Sequence, residues 1–392
     1  MIKFLRKSLD ANAYRFEKDG ALEKFYPLFE ATDSILFSTD EVTKSGPHIR
    51  DSVDTKRVMI LVVLALIPLY IFGAMNVGVQ NGIAMEVERS HGENFRFGFG
   101  IILPIIIITF MTGAFWEVLF AMVRKHPISE GFLVTCALIP LVMPASIPLW
   151  QVSIATTFGI VIGKEIFGGV GMNVFNPALV ARAFLFFTYP GRISGDKVWV
   201  VGLDGYSGAT ALAIPAAEVS KNAEALLIGV TQFDFSWWNM FMGWIPGSIG
   251  ETSKLLIIFS AIFLVITKIA NWRIMVGALL GLFVTAYLTN LMAPFSSNTM
   301  LSLPGHYHLV MGGFLFGMAF MATEPVTGCH TNRGRWVYGV LFGMLTVIVR
   351  SINPAYPEGA MLAILLLNAF APLIDWFVIQ SNIKRRIARY AQ

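Results

Sequence analysis

Charge is scarce in this sequence. Of 392 residues only 14% are Asp, Glu, Lys or Arg, where soluble domains carry roughly 25%. With 55% hydrophobic residues and a mean hydropathy of +0.65, this excludes an ordinary water-soluble globule and places the chain in a bilayer. Cysteine is almost absent too. Cys136 and Cys329 stand far apart with no Cys-x-x-Cys pair, which leaves out the four thiolates of an iron–sulfur cluster. Both read as free structural thiols, and no metal ligand set is expected. The net charge of +4 gathers at the two ends, which suits an anionic membrane surface and not nucleic acid. No cleavable leader is expected, because the first apolar run starts only near Val58.

What is present is a series of apolar runs. Ten candidate spans lie near 58–76, 98–122, 131–144, 150–167, 177–189, 254–270, 274–293, 308–323, 335–350 and 359–380. Each is expected to be a helix, because lipid tolerates no unpaired backbone. The fold expected is an all-α polytopic membrane protein with some spans short or broken. The third and fifth fall short of the ~20 residues of a full crossing, and prolines 140, 144, 177 and 190 bound them. Such broken segments are where membrane proteins build sites. Three regions follow: residues 1–57, with amphipathic helices on the cytoplasmic side; a transmembrane domain over 58–380; and a basic tail over 381–392.

Positive charge sets the orientation. Lys56 and Arg57 precede the first span, and Lys384, Arg385, Arg386 and Arg389 follow the last. Ten spans put both ends on the cytoplasmic side. Loop 190–253 then lies outside, with three basic against six acidic residues.

Within that loop stands Asp204-Gly205-Tyr206-Ser207-Gly208-Ala209-Thr210. Its glycines, serine and alanine make a thin backbone that another protein can grip, ending on one hydroxyl. Read alone it is a turn. Pro246-Gly247-Ser248-Ile249-Gly250-Glu251 is a second small-residue loop on the same face, whose amides, those of Ser248 and Gly250 among them, could cradle a phosphate. Gly168-Gly169-Val170-Gly171 and Gly312-Gly313 with Gly317 read as close helix packing, since the first follows a membrane helix and not the strand of a dinucleotide loop. Asn-Pro-Ala occurs at 176–178 and again at 353–355. An internal repeat and a chance recurrence of three residues both stay open.

Acids near or within spans are costly and commonly functional. Glu117 follows Gly113-Ala114-Phe115-Trp116, and Asp375 lies in the tenth span. Lys164-Glu165 reads equally well as an interfacial pair that snorkels. Arg182 needs an anionic partner or ligand, one of these acids being the plain choice. Glu324 and Glu358 read as loop residues.

Asp204 to Thr210 fits the pattern Asp-Gly-x-Ser/Thr-Gly-Ala-Thr at every position. That pattern is read by flavin transferases, which attach FMN through its phosphate to the last threonine. Together with Arg50-Asp51-Ser52-Val53-Asp54, Phe115-Trp116-Glu117-Val118-Leu119-Phe120, Val123-Arg124-Lys125-His126, Asn176-Pro177-Ala178 and Asn353-Pro354-Ala355-Tyr356-Pro357-Glu358-Gly359, it makes the chain resemble the B subunits of sodium-translocating NADH:quinone oxidoreductases. The resemblance runs from about residue 20 to the end. The related D subunits of Rnf ferredoxin:NAD+ oxidoreductases share the flavin loop without so long an N-terminal tail.

The resemblance implies a multi-pass subunit of a bacterial inner-membrane complex with five other subunits, matured by a flavin transferase. It implies covalent FMN on Thr210, with Asp204, Ser207, Gly208 and Ala209 as its recognition loop, a noncovalent riboflavin, ubiquinone as electron acceptor, and Na+ export. Other subunits would carry the FAD and iron–sulfur centres, and the flavins rather than protein side chains would do the redox chemistry. It places the quinone and inhibitor site at Gly113, Ala114 and Glu117, where the family usually has Gly-Gly and this chain has Gly113-Ala114. Apart from the resemblance, Glu117 and Asp375 are the carboxylates expected to serve the sodium pathway, Na+ being a hard cation met by oxygen ligands, with structural ion pairs to nearby Lys and Arg as the alternative. From another class, a channel or small-solute transporter also accounts for ten spans and broken helices, but has no use for the flavin loop.

Overall fold

The computed structural model describes residues 2–16, 55–125, 131–195, 197–202, 208–218, 222–229, 233–352 and 358–390, with a few isolated positions besides. Helix α1 (Ile2–Phe16) is followed by α2 (Thr55–Met85), α3 (His91–Arg124), α4 (Gly131–Leu141), α5 (Leu149–Val161) and α6 (Pro177–Thr188). After a loop with four short helical turns come α7 (Lys254–Ile266), α8 (Trp272–Met292) and α9 (Gly305–Val310), then a broken stretch, Phe314–Phe316 and Gly317–Met321. Helices α10 (Asn332–Ile352) and α11 (Ala360–Tyr390) close the chain. Among the described residues there is no strand, and the chain is an all-α polytopic membrane protein.

Segments appear at all ten expected positions, but only five are long and apolar enough to cross alone: Arg57–Met85, His91–Arg124, Trp272–Phe295, Asn332–Ile352 and Ala360–Arg389. More spans are short than expected. Besides the third and fifth, α5 stops at Val161, α7 stops at Ile266, and the eighth breaks into pieces. The apolar run continues past each end, but the backbone leaves the helix. Lys268, just beyond α7, has φ 61, a left-handed geometry that ends the hydrogen-bond ladder. In the eighth span Ala322 N–H reaches back five residues to Gly317 C=O at 2.7 Å, a π-turn of the kind common at functional sites. The expected tail over 381–392 is no separate element, since α11 runs on to Tyr390. Of the expected N-terminal helices, α1 is present, and most of 17–54 lies outside the described residues.

Helix α3 shows how the bundle sits in lipid. Ile105, Thr109, Gly113, Glu117 and Ala121 are buried, while Leu103, Ile107, Met111, Phe115 and Leu119 are exposed. Both sets recur every four residues, so one face meets the bundle and an equally apolar face meets acyl chains. Helices α8 and α10 meet through paired Gly-x-x-x-Gly faces. A Cβ on Gly281 would lie 2.1 Å from Val340 O, and one on Gly343 would lie 2.0 Å from Ala278 O. Only glycine permits this approach.

Of the other two glycine clusters, Gly313 and Gly317 pack closely as expected, a Cβ on Gly317 lying 3.0 Å from Ile364 Cδ1, while the remaining four glycines serve turns. Gly168, Gly169 and Gly171 have φ of 120, 98 and 92, and Gly312 has φ 59. They turn the backbone beyond the C-terminal end of α5 and between α9 and the broken stretch, in conformations that side chains resist.

The elements divide into two halves of the same order, α2–α6 and α7–α11. Each has a short or broken stretch between its second helix and its last two, α4 in the first and α9 with the pieces after it in the second. The broken segment opens on Gly131-Phe132-Leu133 in one half and on Gly313-Phe314-Leu315 in the other. The first Asn-Pro-Ala forms the start of α6, and 353–355 lie outside the described residues.

Candidate functional site

At one end of the bundle, Gly208, Ala209 and Thr210 lead into a short helix, Ala213–Ala217. Thr210 C=O accepts from Ala213 N–H at 3.0 Å. Its side chain is half-buried, and among the described residues its hydroxyl has no hydrogen-bond partner. Asp204 and Ser207 lie outside the described residues. Thr210 stands on a cavity shared with Pro246, Gly247, Glu251, Lys254 and Glu358. The 246–251 loop forms a wall of it, but not as the phosphate cradle expected. Ser248 N–H donates to Glu251 Oε1 at 3.1 Å, and Gly250 N–H to Leu141 O at 2.8 Å. Both amides are committed and both residues buried, so neither amide is open to a phosphate.

Directly beneath lies a second cavity, which shares Glu251 and Glu358 with the first and adds Arg182, Phe316, Gly317 and Met321. Buried charge concentrates here. Arg182, on α6, pairs with Glu358 and also donates to Val142 O at 2.7 Å and Ser248 Oγ at 3.3 Å. Arg350 is fully buried and clamps three carbonyls: His308 at 2.6 Å, Met311 at 2.9 Å and Glu358 at 3.2 Å. Lys254 is 1% exposed. It donates to Gly312 O at 3.0 Å and to Glu251 O. Neither Lys254 nor Arg350 has a carboxylate within ion-pair distance among the described residues. The need of Arg182 for an anion is met, but by Glu358, which reads in sequence as a plain loop residue, and not by the acids expected. Lys254 and Arg350 are functional candidates that the sequence did not single out; the available signal was a cation at the border of a strongly apolar run.

Across the π-turn, toward the opposite end of the bundle, a third cavity opens. Its walls are mainly apolar, with Thr135, Lys164, Asn173, Asn176 and Glu324 as polar points. The first Asn-Pro-Ala explains itself here. Asn176 Oδ1 caps α6 by accepting from Ala178 N–H at 3.0 Å and Leu179 N–H at 3.2 Å, and Pro177 takes the first helical position, where no donor is needed. The Asn176 amide then donates to Glu324 at 2.9 Å, and Thr327 Oγ1 donates to the same carboxylate oxygen at 2.8 Å. Glu324, expected as a loop residue, is instead a hydrogen-bonded carboxylate at this cavity.

Beside that cavity runs a buried ion chain. Glu117 pairs with Lys164, Lys164 lies 3.5 Å from Glu165, and Arg124 lies 3.1 Å from Glu165. Lys164 and Glu165 are each 1% exposed, so they do not snorkel as an interfacial pair would. The Phe-Trp-Glu segment divides its work: Phe115 faces outward, Trp116 Nε1 donates to Thr157 Oγ1 at 2.9 Å, and Glu117 turns inward to Lys164.

Two expected site residues sit otherwise than their proposed roles suggest. Gly113 is no open gap: a Cβ there would lie 2.3 Å from Cys136 Sγ, so it marks a helix crossing. Ala114, half-buried beside it, is the residue with access to the surface. Asp375 holds a turn, accepting from His330 N–H at 2.6 Å, Thr331 N–H at 3.0 Å and Thr331 Oγ1 at 2.5 Å. Neither Asp375 nor Glu117 lines any of the three cavities.

Comparison with known proteins adds a separate line. The family model described as "NQR2, RnfD, RnfE family" matches residues 42–384. A protein of Chromohalobacter salexigens, named as the B subunit of a Na(+)-translocating NADH-quinone reductase, is 49% identical, over 99% of this chain and 97% of its own. Proteins of the same name from Stutzerimonas stutzeri and Pseudomonas aeruginosa are 48% and 45% identical, each over 98% of this chain and 99% of their own.

Proposed function

Because the chain belongs to the NQR2, RnfD, RnfE family, we propose that it is the B subunit of a sodium-translocating NADH:quinone reductase, carrying covalent FMN on Thr210. The observation that carries this reading is the half-buried hydroxyl of Thr210 on a cavity that also holds the buried Lys254. A phosphoester on that oxygen is anionic, and Lys254 is the cation that lines the same cavity, alongside the carboxylates of Glu251 and Glu358. When bound, FMN supplies one-electron and two-electron transfer; the chain positions it and sets its electrostatic surroundings. FMN, five partner subunits, the flavin transferase and the bacterial inner membrane with both termini cytoplasmic belong to the proposal.

The inner cavity suits a second, noncovalent flavin. Its walls are apolar enough for a flat ring system, and Asn173, Asn176 and Thr135 offer polar edges. Riboflavin is the group the family reading implies. Ubiquinone would be reduced near this inner end, beside Ala114. Electrons entering at Thr210 then cross most of the ~30 Å apolar layer within one subunit.

For sodium, Glu117 and Asp375 remain the proposed carboxylates on the inner side, Na+ being a hard cation met by oxygen ligands. Electrons move inward while Na+ moves outward, so charge attraction alone cannot couple them. A two-state element is required. Segment α4, the start of α6 and the π-turn are the candidates, since a helix begins, ends or changes its hydrogen bonding there within the bundle. Cavities on both sides of an apolar barrier would also suit a passive channel. Ultraviolet illumination of the denatured polypeptide in a gel separates the two: a flavoprotein subunit fluoresces and a channel is dark.

A further inference from the structure

Helix α11 is longer than its crossing needs. Its 31 residues span about 46 Å at ~1.5 Å per residue, against a hydrocarbon layer of ~30 Å. The surplus lies at its C-terminal end. Ala360 and Met361 are buried and line the second cavity, which holds the first turn inside the bundle. Asp375, gripping the turn at 330 and 331, is the last buried residue of the helix. The spans of α8 and α10 begin at this same level, with Trp272 and Trp336 edge to face and Trp376 next to Asp375. Such an aromatic belt marks a membrane surface. None of residues 376–389 is buried, so Arg389 lies ~21 Å beyond Asp375 along the helix.

The projecting turns have two chemical faces. Trp376, Ile379, Ile383 and Ile387 recur at steps of three, four and four and are all exposed, Ile387 by 62%, so they form one apolar stripe. Lys384, Arg385, Arg386 and Arg389 occupy the other faces, and no acid follows Asp375 in the sequence. Among the described residues none of the four cations has a carboxylate within ion-pair distance; Arg385 reaches only Asn382 on its own helix, at 2.8 Å. An apolar stripe bordered by unpaired cations is a surface made for an apolar, acidic counterpart.

We propose that this projecting part of α11 docks another subunit of the complex, one that offers an apolar groove to the isoleucine stripe and carboxylates to the cations. This is the helix-in-groove mode, with anchors one turn apart. The inference rests on the reading that the chain is one subunit of a multi-subunit reductase with this end cytoplasmic. Bare lipid fits less well. The headgroup layer is ~5–8 Å deep on each side; it covers the first turn past Trp376 and leaves Ile383, Ile387 and Arg389 beyond. A helix lying in the headgroups would need to turn there, and α11 runs unbroken from Pro372 to Tyr390. The positive charge that orients membrane proteins does not call for an apolar stripe that outlasts the membrane surface.

The test uses the whole complex. A photo-crosslinking amino acid replaces Ile383 or, separately, Ile387; membranes are illuminated and the complex is purified through a tag on this chain. A wild-type chain that purifies without other subunits would refute the parent reading instead. Within a complex, peptide mapping should find each probe joined to an acid-rich, water-exposed segment of another subunit. Adducts only with phospholipid, only with this chain's own residues, or with nothing overturn the proposal. Charge is tested in the triple variant Arg385→Glu, Arg386→Glu, Arg389→Glu, whose sites are exposed, so folding is not at issue. The subunit caught by the probes should be held at least about tenfold more weakly by the triple variant, read from its retention on the immobilised complex as salt is raised. Retention equal to wild type overturns the proposal as well.

Discussion

Arg182 and Glu358 form an ion pair between α6 and the turn before α11, joining the two halves of the fold inside the bundle. Their separation of 176 in sequence makes this one of the most distant contacts in the chain. It also closes the floor of the cavity on which Thr210 stands, because Glu358 lines both cavities.

Removing one partner strands the other. Arg182→Met should destabilise the protein by about 3–5 kcal/mol, and it also removes the donor to Val142 O. The double variant Arg182→Met, Glu358→Met should recover a good part of the loss. Thermal unfolding of the detergent-solubilised protein checks this; equal losses in the single and double variants would mean that the pair contributes nothing as a pair.

Gly113 and Ala114 should behave differently. Gly113→Ala places a methyl against Cys136 Sγ and should cost about 1–3 kcal/mol by overpacking, relieved in a Cys136→Ala background. Ala114→Leu, at the half-buried edge of α3, should leave the fold and the flavin intact and weaken quinone-site inhibitors about tenfold, or ~1.4 kcal/mol. Inhibition unchanged by Ala114→Leu would remove α3 from the quinone site.

The sodium assignment needs conservative variants. Asp375→Ala would release three donors at residues 330 and 331 and confuse folding with uptake. Asp375→Asn and Glu117→Gln keep shape and part of the hydrogen bonding. Each should raise the sodium concentration for half-maximal turnover about tenfold, equivalent to ~1.4 kcal/mol. An unchanged sodium dependence in both, with only a lower maximal rate, would take these acids out of the path.

Much of the architecture was legible because hydropathy reports burial in lipid whatever the fold. The ten segments fell where apolar runs fell, and prolines 140 and 177 marked two of the short ones. Hydropathy does not report backbone hydrogen bonding, however. That is why α5 and α7 ended early and the π-turn at Gly317–Met321 went unread. The glycines of 168–171 looked like packing residues, since sequence cannot distinguish a small side chain from a positive φ. The Thr210 loop was visible as a local motif. Its surroundings were not: Glu251 and Lys254 at the start of α7 and Glu358 before α11 share its cavity only after the halves assemble, with Arg350 holding the Glu358 carbonyl. The Asn176–Glu324 link, 148 residues apart, was hidden for the same reason.

The central claim is that Thr210 carries the flavin, and peptide mapping by mass spectrometry tests it most directly. The wild-type fragment containing Thr210 should be heavier by one FMN less one water. Thr210→Ala should fold, since the change removes only a half-buried hydroxyl, yet show no flavin in any fragment. A flavin on Ser207 instead, or an unmodified Thr210 fragment from a wild-type complex that reduces quinone, would contradict the account.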